Sequence, residues 1–146
     1  MKEILNEDMQ DETINVFSNK RDLQHMYNQA VEKFYIGDYK RANELMGIVY
    51  ILDKNLSAQY LKTFGAILQA IESYDQAAVV YDKALNLEHK NDNVCLFYSG
   101  VCLFKSGSYL QSRHKLEAFL TEGNNNQKLL SRAKLYLKLT NKKLAN

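Results

Sequence analysis

Few groups in this sequence are able to do chemistry. The candidates are His25, His89 and His114, the cysteines Cys95 and Cys102, and the acid pairs Glu7-Asp8 and Asp11-Glu12. A metal site needs several ligands at short, regular spacings, and no histidine here has such a neighbour. A nucleophilic cysteine needs a partner base, and neither cysteine is spaced to meet one. Seven positions apart on a helix is about 10 Å, more than the roughly 4.4–6.8 Å between Cα atoms that a disulfide spans. The two thiols therefore read as reduced core residues. Glycine-rich phosphate loops and Gly-x-Ser-x-Gly elbows are absent. The acid pairs read as solvated, and the histidines as surface or packing residues. The sequence predicts no enzyme, no bound metal and no cofactor.

What stands out instead is a surplus of apolar side chains. The stretch Asp92 to Tyr109, DNVCLFYSGVCLFKSGSY, reads as a helix and a tight turn. An amphipathic surface helix has one apolar stripe. This one has two, Leu96-Gly100-Leu103 and Val94-Phe97-Val101-Phe104. The first stripe is expected to pack on the rest of the fold, and the second to serve recognition.

The elements that must position these residues follow from composition and period. The chain has 146 residues, 46% of them hydrophobic, no proline and six glycines. That is about one ordinary domain, and the scarcity of strand-like alternation predicts an all-α fold. A net charge of +2 with no long basic run argues against a nucleic-acid binder. The acidic start MKEILNEDMQDE is not a signal peptide, and no apolar run is long enough to span a membrane.

A repeat of 35 residues is present. Tyr39, Tyr74 and Tyr109 share a register, as do Ala42, Ala77 and Ser112, and Met46, Tyr81 and Leu116. Gly65 and Gly100 match, with Ala30 in the first copy; Gly37 and Gly107 match, with Glu72 between them. The unit is a pair of antiparallel helices touching at a small residue. It resembles the tetratricopeptide repeat, best in the middle copy at Leu61, Phe64, Gly65, Leu68, Ala77, Tyr81 and Ala84. The family's closing proline is replaced by Lys54, His89 and Asn124. The expected organisation is an α-solenoid. Residues 1–20 form an N-terminal extension. Residues 21–146 form the repeat domain, with pairs at Arg21–Asp53, Asn55–Leu87 and Asn91–Glu122. A capping helix from Gln127 to about Asn141 covers the last stacking face. Asn55 and Asn91 are expected as N-caps.

In such repeats the first helix of each pair lines the concave side. The resemblance then implies inward positions at Gln24, Tyr27, Val31, Phe34 and Tyr35 in the first repeat. The second offers Gln59, Lys62, Ala66, Gln69 and Ala70, and the third Val94, Phe97, Val101, Phe104 and Lys105. Two apolar ends would flank a floor whose amides, Gln59 and Gln69, bond to a peptide backbone. Each apolar side chain buried there would contribute roughly 1.5–3 kcal/mol. Tyr27, Val31, Val94 and Tyr98 stand where carboxylate-clamp repeats carry basic and amide residues, so a clamp for acidic C-termini is not expected.

A closer resemblance rests on FYIGDYKRANELMGIVYILDKN, YLKTFGAILQAIESYDQAAVVYDKALNL and FYSGVCLFKSGSYLQSRHKLEAFL, about 100 residues. These are similar to the class II chaperones of bacterial type III secretion, the SycD/LcrH/IpgC type. The Phe97-Tyr-Ser-Gly-Val-Cys102 segment is the most specific part. The resemblance implies a cytoplasmic chaperone for hydrophobic secreted translocator proteins, with an extended client segment in the groove. It also implies a homodimer through the region Ile4 to Phe17, and a transcriptional activator as a further partner. No nucleic-acid or membrane partner is expected. The competing expectation is a general scaffold that joins folded partners through its convex or edge surface.

Overall fold

The computed structural model describes residues 20–87 and 92–146. The expected dimer segment Ile4 to Phe17, the expected cap Asn91, and His89 lie outside them. Among the described residues there are seven helices and no strand: α1 (Lys20–Tyr35), α2 (Tyr39–Leu52), α3 (Ala58–Ala70), α4 (Tyr74–Leu87), α5 (Val94–Ser106), α6 (Tyr109–Glu122) and α7 (Gln127–Ala145). The fold is all-α: three tetratricopeptide-like pairs and a C-terminal helix. The chain divides into two compact units, Met1–Leu56 and Ser57–Asn146.

The 35-residue period is the period of the turns. Each second helix starts on a register tyrosine, Tyr39, Tyr74 or Tyr109. Each first helix closes with the same pair of hydrogen bonds. Asp38 N–H donates to Lys33 O at 2.9 Å and Gly37 N–H to Phe34 O at 3.1 Å. Ser73 and Glu72 repeat this on Leu68 and Gln69, and Ser108 and Gly107 on Leu103 and Phe104. These are Schellman closures, which need a left-handed residue just past the helix. Gly37 (φ 84°) and Gly107 (φ 87°) supply it without strain, and Glu72 (φ 61°) supplies it with a side chain attached.

In the first unit α1 packs on α2, burying Leu23, Tyr27 and Ala30 against Ala42, Leu45, Met46 and Val49. In the second unit each helix packs on the next, and α7 also reaches α5. Gly65 and Gly100 are the close-approach points. A Cβ on Gly65 would lie 2.5 Å from the Tyr81 ring, and one on Gly100 2.8 Å from Leu116 Cδ2. Ser112, where the other copies have alanine, donates its buried hydroxyl to Gly100 O at 2.7 Å.

The cap of α3 differs from expectation. Asn55 is not an N-cap: its N–H donates to Asp53 Oδ1 at 2.9 Å in a turn, and Ser57 caps α3, accepting from Tyr60 N–H at 3.1 Å. Ahead of α5, Asn93 turns its side chain away from the helix end. It donates to Glu122 Oε2 (3.1 Å) and Gly123 O (3.0 Å) and accepts from Asn124 (2.9 Å). This ties the start of α5 to the α6–α7 loop. Asn126 Oδ1 caps α7, accepting from Lys128 and Leu129 N–H. The helix then continues to Ala145, past the expected Asn141.

Candidate peptide-binding surface

The first-helix residues expected to line a groove fall into three groups. In the first unit Tyr35 is 81% exposed and Gln24 is also on the surface, donating to Asn28 Oδ1 at 3.2 Å. Val31 and Phe34 are half-buried, the Phe34 ring lying 5.9 Å from Tyr35 and 5.6 Å from Tyr39. Tyr27 is buried.

On α3, Gln59 is exposed while Lys62, Ala66, Gln69 and Ala70 are half-buried. Two of these are already engaged. Gln69 Oε1 accepts from the hydroxyl of Tyr81 at 2.5 Å. The Tyr81 ring stacks on Tyr98 at 5.3 Å, and burial, chiefly, raises the Tyr81 phenol far above its usual range. Lys62 Nζ pairs with Asp92 Oδ2 at 3.1 Å. Burial pushes the Asp92 carboxyl up, but the Lys62 bond, the Val94 N–H and the Lys62 charge outweigh it and lower the pKa.

On α5 the expectation needs correction. Phe97 and Val101 are fully or almost fully enclosed, 0% and 3% exposed. They belong to one core cluster with Leu96, Leu116, Phe119, Leu129 and Ala133. The cause is α7. Leu129 and Ala133 close over the second apolar stripe of α5, and the Arg132 guanidinium lies 5.1 Å above the Phe97 ring. Phe104 is half-buried, its ring edge-on to Tyr136 of α7 at 5.4 Å. Val94 is half-buried against the same cluster. Lys105 is exposed and lies 5.3 Å over the Tyr74 ring. The surplus apolar stripe thus has an internal use, to seat the terminal helix.

The sequence reading missed a cavity of about 620 Å³ between α4 and α6, closed at one side by Leu103. Ala78, Val79 and Leu110 form its apolar wall, and Asp75, Asp82, His114 and Lys115 its polar one. Asp82 Oδ1 accepts from Ser99 Oγ (2.8 Å) and pairs with Lys115 Nζ (2.9 Å). Val79 and Leu110, more than half exposed, carried a signal: both are apolar on the outer side of a second helix.

Both cysteines are buried and neither is in a disulfide, as expected. Burial pushes the Cys102 thiol up to about 12, against the pull of Lys105. Among the described residues no helix is long and apolar enough to cross a membrane.

No protein-family model and no curated protein sequence matches the chain. Solved structures do. A type III secretion complex from Aeromonas hydrophila superimposes with a TM-score of 0.72 at 17% identity, covering 87% of this chain and 85% of that one. The Yersinia enterocolitica type III secretion chaperone SycD, solved with a peptide of the translocator YopD, gives 0.71 at 20% identity over 86% and 96%. The fold is that of the translocator chaperones of type III secretion. PcrH from Pseudomonas aeruginosa has the same chaperone fold, with a TM-score of 0.67 at 18% identity over 84% and 94%. PcrH has also been solved with the chaperone-binding regions of PopD and PopB.

Proposed function

We propose that the protein is a chaperone of type III secretion that binds hydrophobic translocator proteins and keeps them soluble in the bacterial cytoplasm before export. The observation that carries this is the agreement of fold, over nearly the full length of both chains, with chaperones solved on translocator peptides. The role is binding, not catalysis. The client surface is the first-helix face in each unit: Gln24, Val31, Phe34 and Tyr35 on α1, and Gln59, Lys62, Ala66 and Ala70 on α3. On α5, Val94, Phe104 and Lys105 remain accessible in part. An extended segment places side chains alternately toward and away from such a surface. On α3 its apolar residues would meet Ala66 and its backbone the Gln59 amide. Co-expression of a hydrophobic translocator with this protein should give a soluble complex, while the translocator alone precipitates. A translocator equally soluble without the protein would overturn the reading.

A second reading is favoured by the α4–α6 cavity. A scaffold that joins folded partners would use the second-helix surface, and Val79 and Leu110 offer an apolar anchor there. It differs in one outcome: charged substitutions at Val79 and Leu110 would abolish partner binding, and substitutions on α3 would not.

A further inference from the structure

Helix α7 carries the most one-sided charge of the described helices. The stretch from Gln127 to Asn146 holds five lysines and Arg132 with no aspartate or glutamate. All six cations are exposed, and among the described residues none forms an ion pair. Arg132 is spent on the Phe97 ring. The lysines have no such use.

Leu129, Ala133 and Thr140 are buried and fix the inner side of the helix. With 3.6 residues per turn, the outer half then carries Lys128, Leu135, Lys138, Leu139 and Lys142. Leu135 is 55% exposed and Leu139 38%. Cations alone would make a solvated face. Leucines set among cations suit a surface that is negatively charged at its rim and apolar just beneath it.

A nucleic acid would use the cations and leave the leucines in water. A folded acidic protein needs a shape-complementary patch of about 800 Å² with a desolvated centre, and the outer half of one helix is convex and set with long, flexible lysines. An anionic bilayer needs no shape fit. Lysine ammoniums meet its lipid phosphates as point charges, and leucines enter the boundary between headgroups and acyl chains. We propose that the outer half of α7 is a peripheral docking surface for an anionic lipid bilayer, held by Lys128, Lys138 and Lys142 and anchored by Leu135 and Leu139. The helix would lie on the bilayer and not cross it, in accord with its length and polarity. This departs from the sequence expectation of no membrane partner, and the reason is the outward turn of Leu135 and Leu139, which only the packing of α7 shows. The inference is independent of the client reading, since α7 lends no residue to the proposed client surface.

Co-sedimentation of the intact protein with vesicles tests it. The protein should pellet with mixed phosphatidylcholine and phosphatidylserine vesicles and stay in solution with phosphatidylcholine alone. Binding should fade at about 1 M salt, where the Debye length is about 3 Å. Each lysine near an anionic surface strengthens binding about fivefold, so Lys138→Gln with Lys142→Gln should weaken it by about 25-fold. Leu135→Ser with Leu139→Ser should also weaken it, although the charge is unchanged. All four side chains are exposed, and both variants should keep the wild-type helical circular dichroism signal. The chain has no tryptophan, so Leu139→Trp adds a single fluorescent reporter, whose emission should move to the blue on the anionic vesicles. No pelleting with phosphatidylserine, or pelleting that neither variant pair reduces, would overturn the proposal. Loss with the lysine pair but not with the leucine pair, together with equal binding to duplex DNA, would overturn it in favour of a general polyanion surface.

Discussion

The Arg132 guanidinium lies 5.1 Å above the centre of the Phe97 ring. One residue belongs to the terminal helix and the other to the most apolar helix of the fold, so the contact marks where α7 seals α5. Phe97 is 0% exposed and its ring lies 5.7 Å from Phe119, so its removal opens a cavity in the core.

Phe97→Ala should therefore destabilise the protein by about 3–5 kcal/mol, as large-to-small aromatic core changes do. Arg132→Ala should cost only about 0.5–1 kcal/mol, the range of a solvent-facing cation–π contact. Urea unfolding followed by circular dichroism checks both. Equal, small losses would mean that α7 does not seal this core.

Glu72→Gly should stabilise the protein by roughly 1 kcal/mol. A side chain in the left-handed region costs about 1–2 kcal/mol, and glycine removes that cost while adding some entropy to the unfolded chain. Glu72 at φ 61° stands where the other two repeats have Gly37 and Gly107. A rise in melting temperature is the readout. The reverse change, Gly107→Glu, should lower it.

Gly65→Ala should destabilise by about 1–3 kcal/mol despite the better helix propensity of alanine. The new methyl would meet the Tyr81 ring, which is held by Gln69 on one side and by the Tyr98 stack on another. Pairing it with Tyr81→Leu should recover part of the loss, because the obstructing ring is gone. Thermal melts of the single and double variants supply the comparison.

Cys102 ties stability to alkaline pH. The unfolded thiol ionises near its ordinary 9.0, whereas burial raises the folded one to about 12. A raised folded-state pKa contributes stability in full below the unfolded value. That stability is lost as pH rises from about 9 to about 12. Cys102→Ala should reduce the alkaline loss measured by urea titration. In the native protein at pH 8, Ellman's reagent should react with neither cysteine until urea unfolds the chain.

Much of this fold was legible because the repeat is written in residues with one structural use each. Tyr39, Tyr74 and Tyr109 mark where second helices begin. Gly65 and Gly100 mark where helices touch, and the Gly37–Glu72–Gly107 register marks the closures. The use of the second α5 stripe was not legible. Phe97 and Val101 are covered by Leu129 and Ala133 from about thirty positions away, and a periodic pattern says that a face is apolar without saying what lies on it. Asn55 also misled: as a cap it competes with the Asp53 turn and Ser57, and two turn-forming residues decide by local hydrogen bonding that spacing does not encode. Likewise, Gln69 looked available to a client amide because its partner Tyr81 sits on another helix.

The central claim is that the client lies on the first-helix face. The most direct measurement is co-purification of a hydrophobic translocator with Ala66→Arg and with Leu110→Asp, each first shown by circular dichroism to be folded. The account predicts that Leu110→Asp carries the translocator as the unaltered protein does, and that Ala66→Arg loses most of it. Retention by Ala66→Arg together with loss by Leu110→Asp would contradict it and move the client to the surface between α4 and α6.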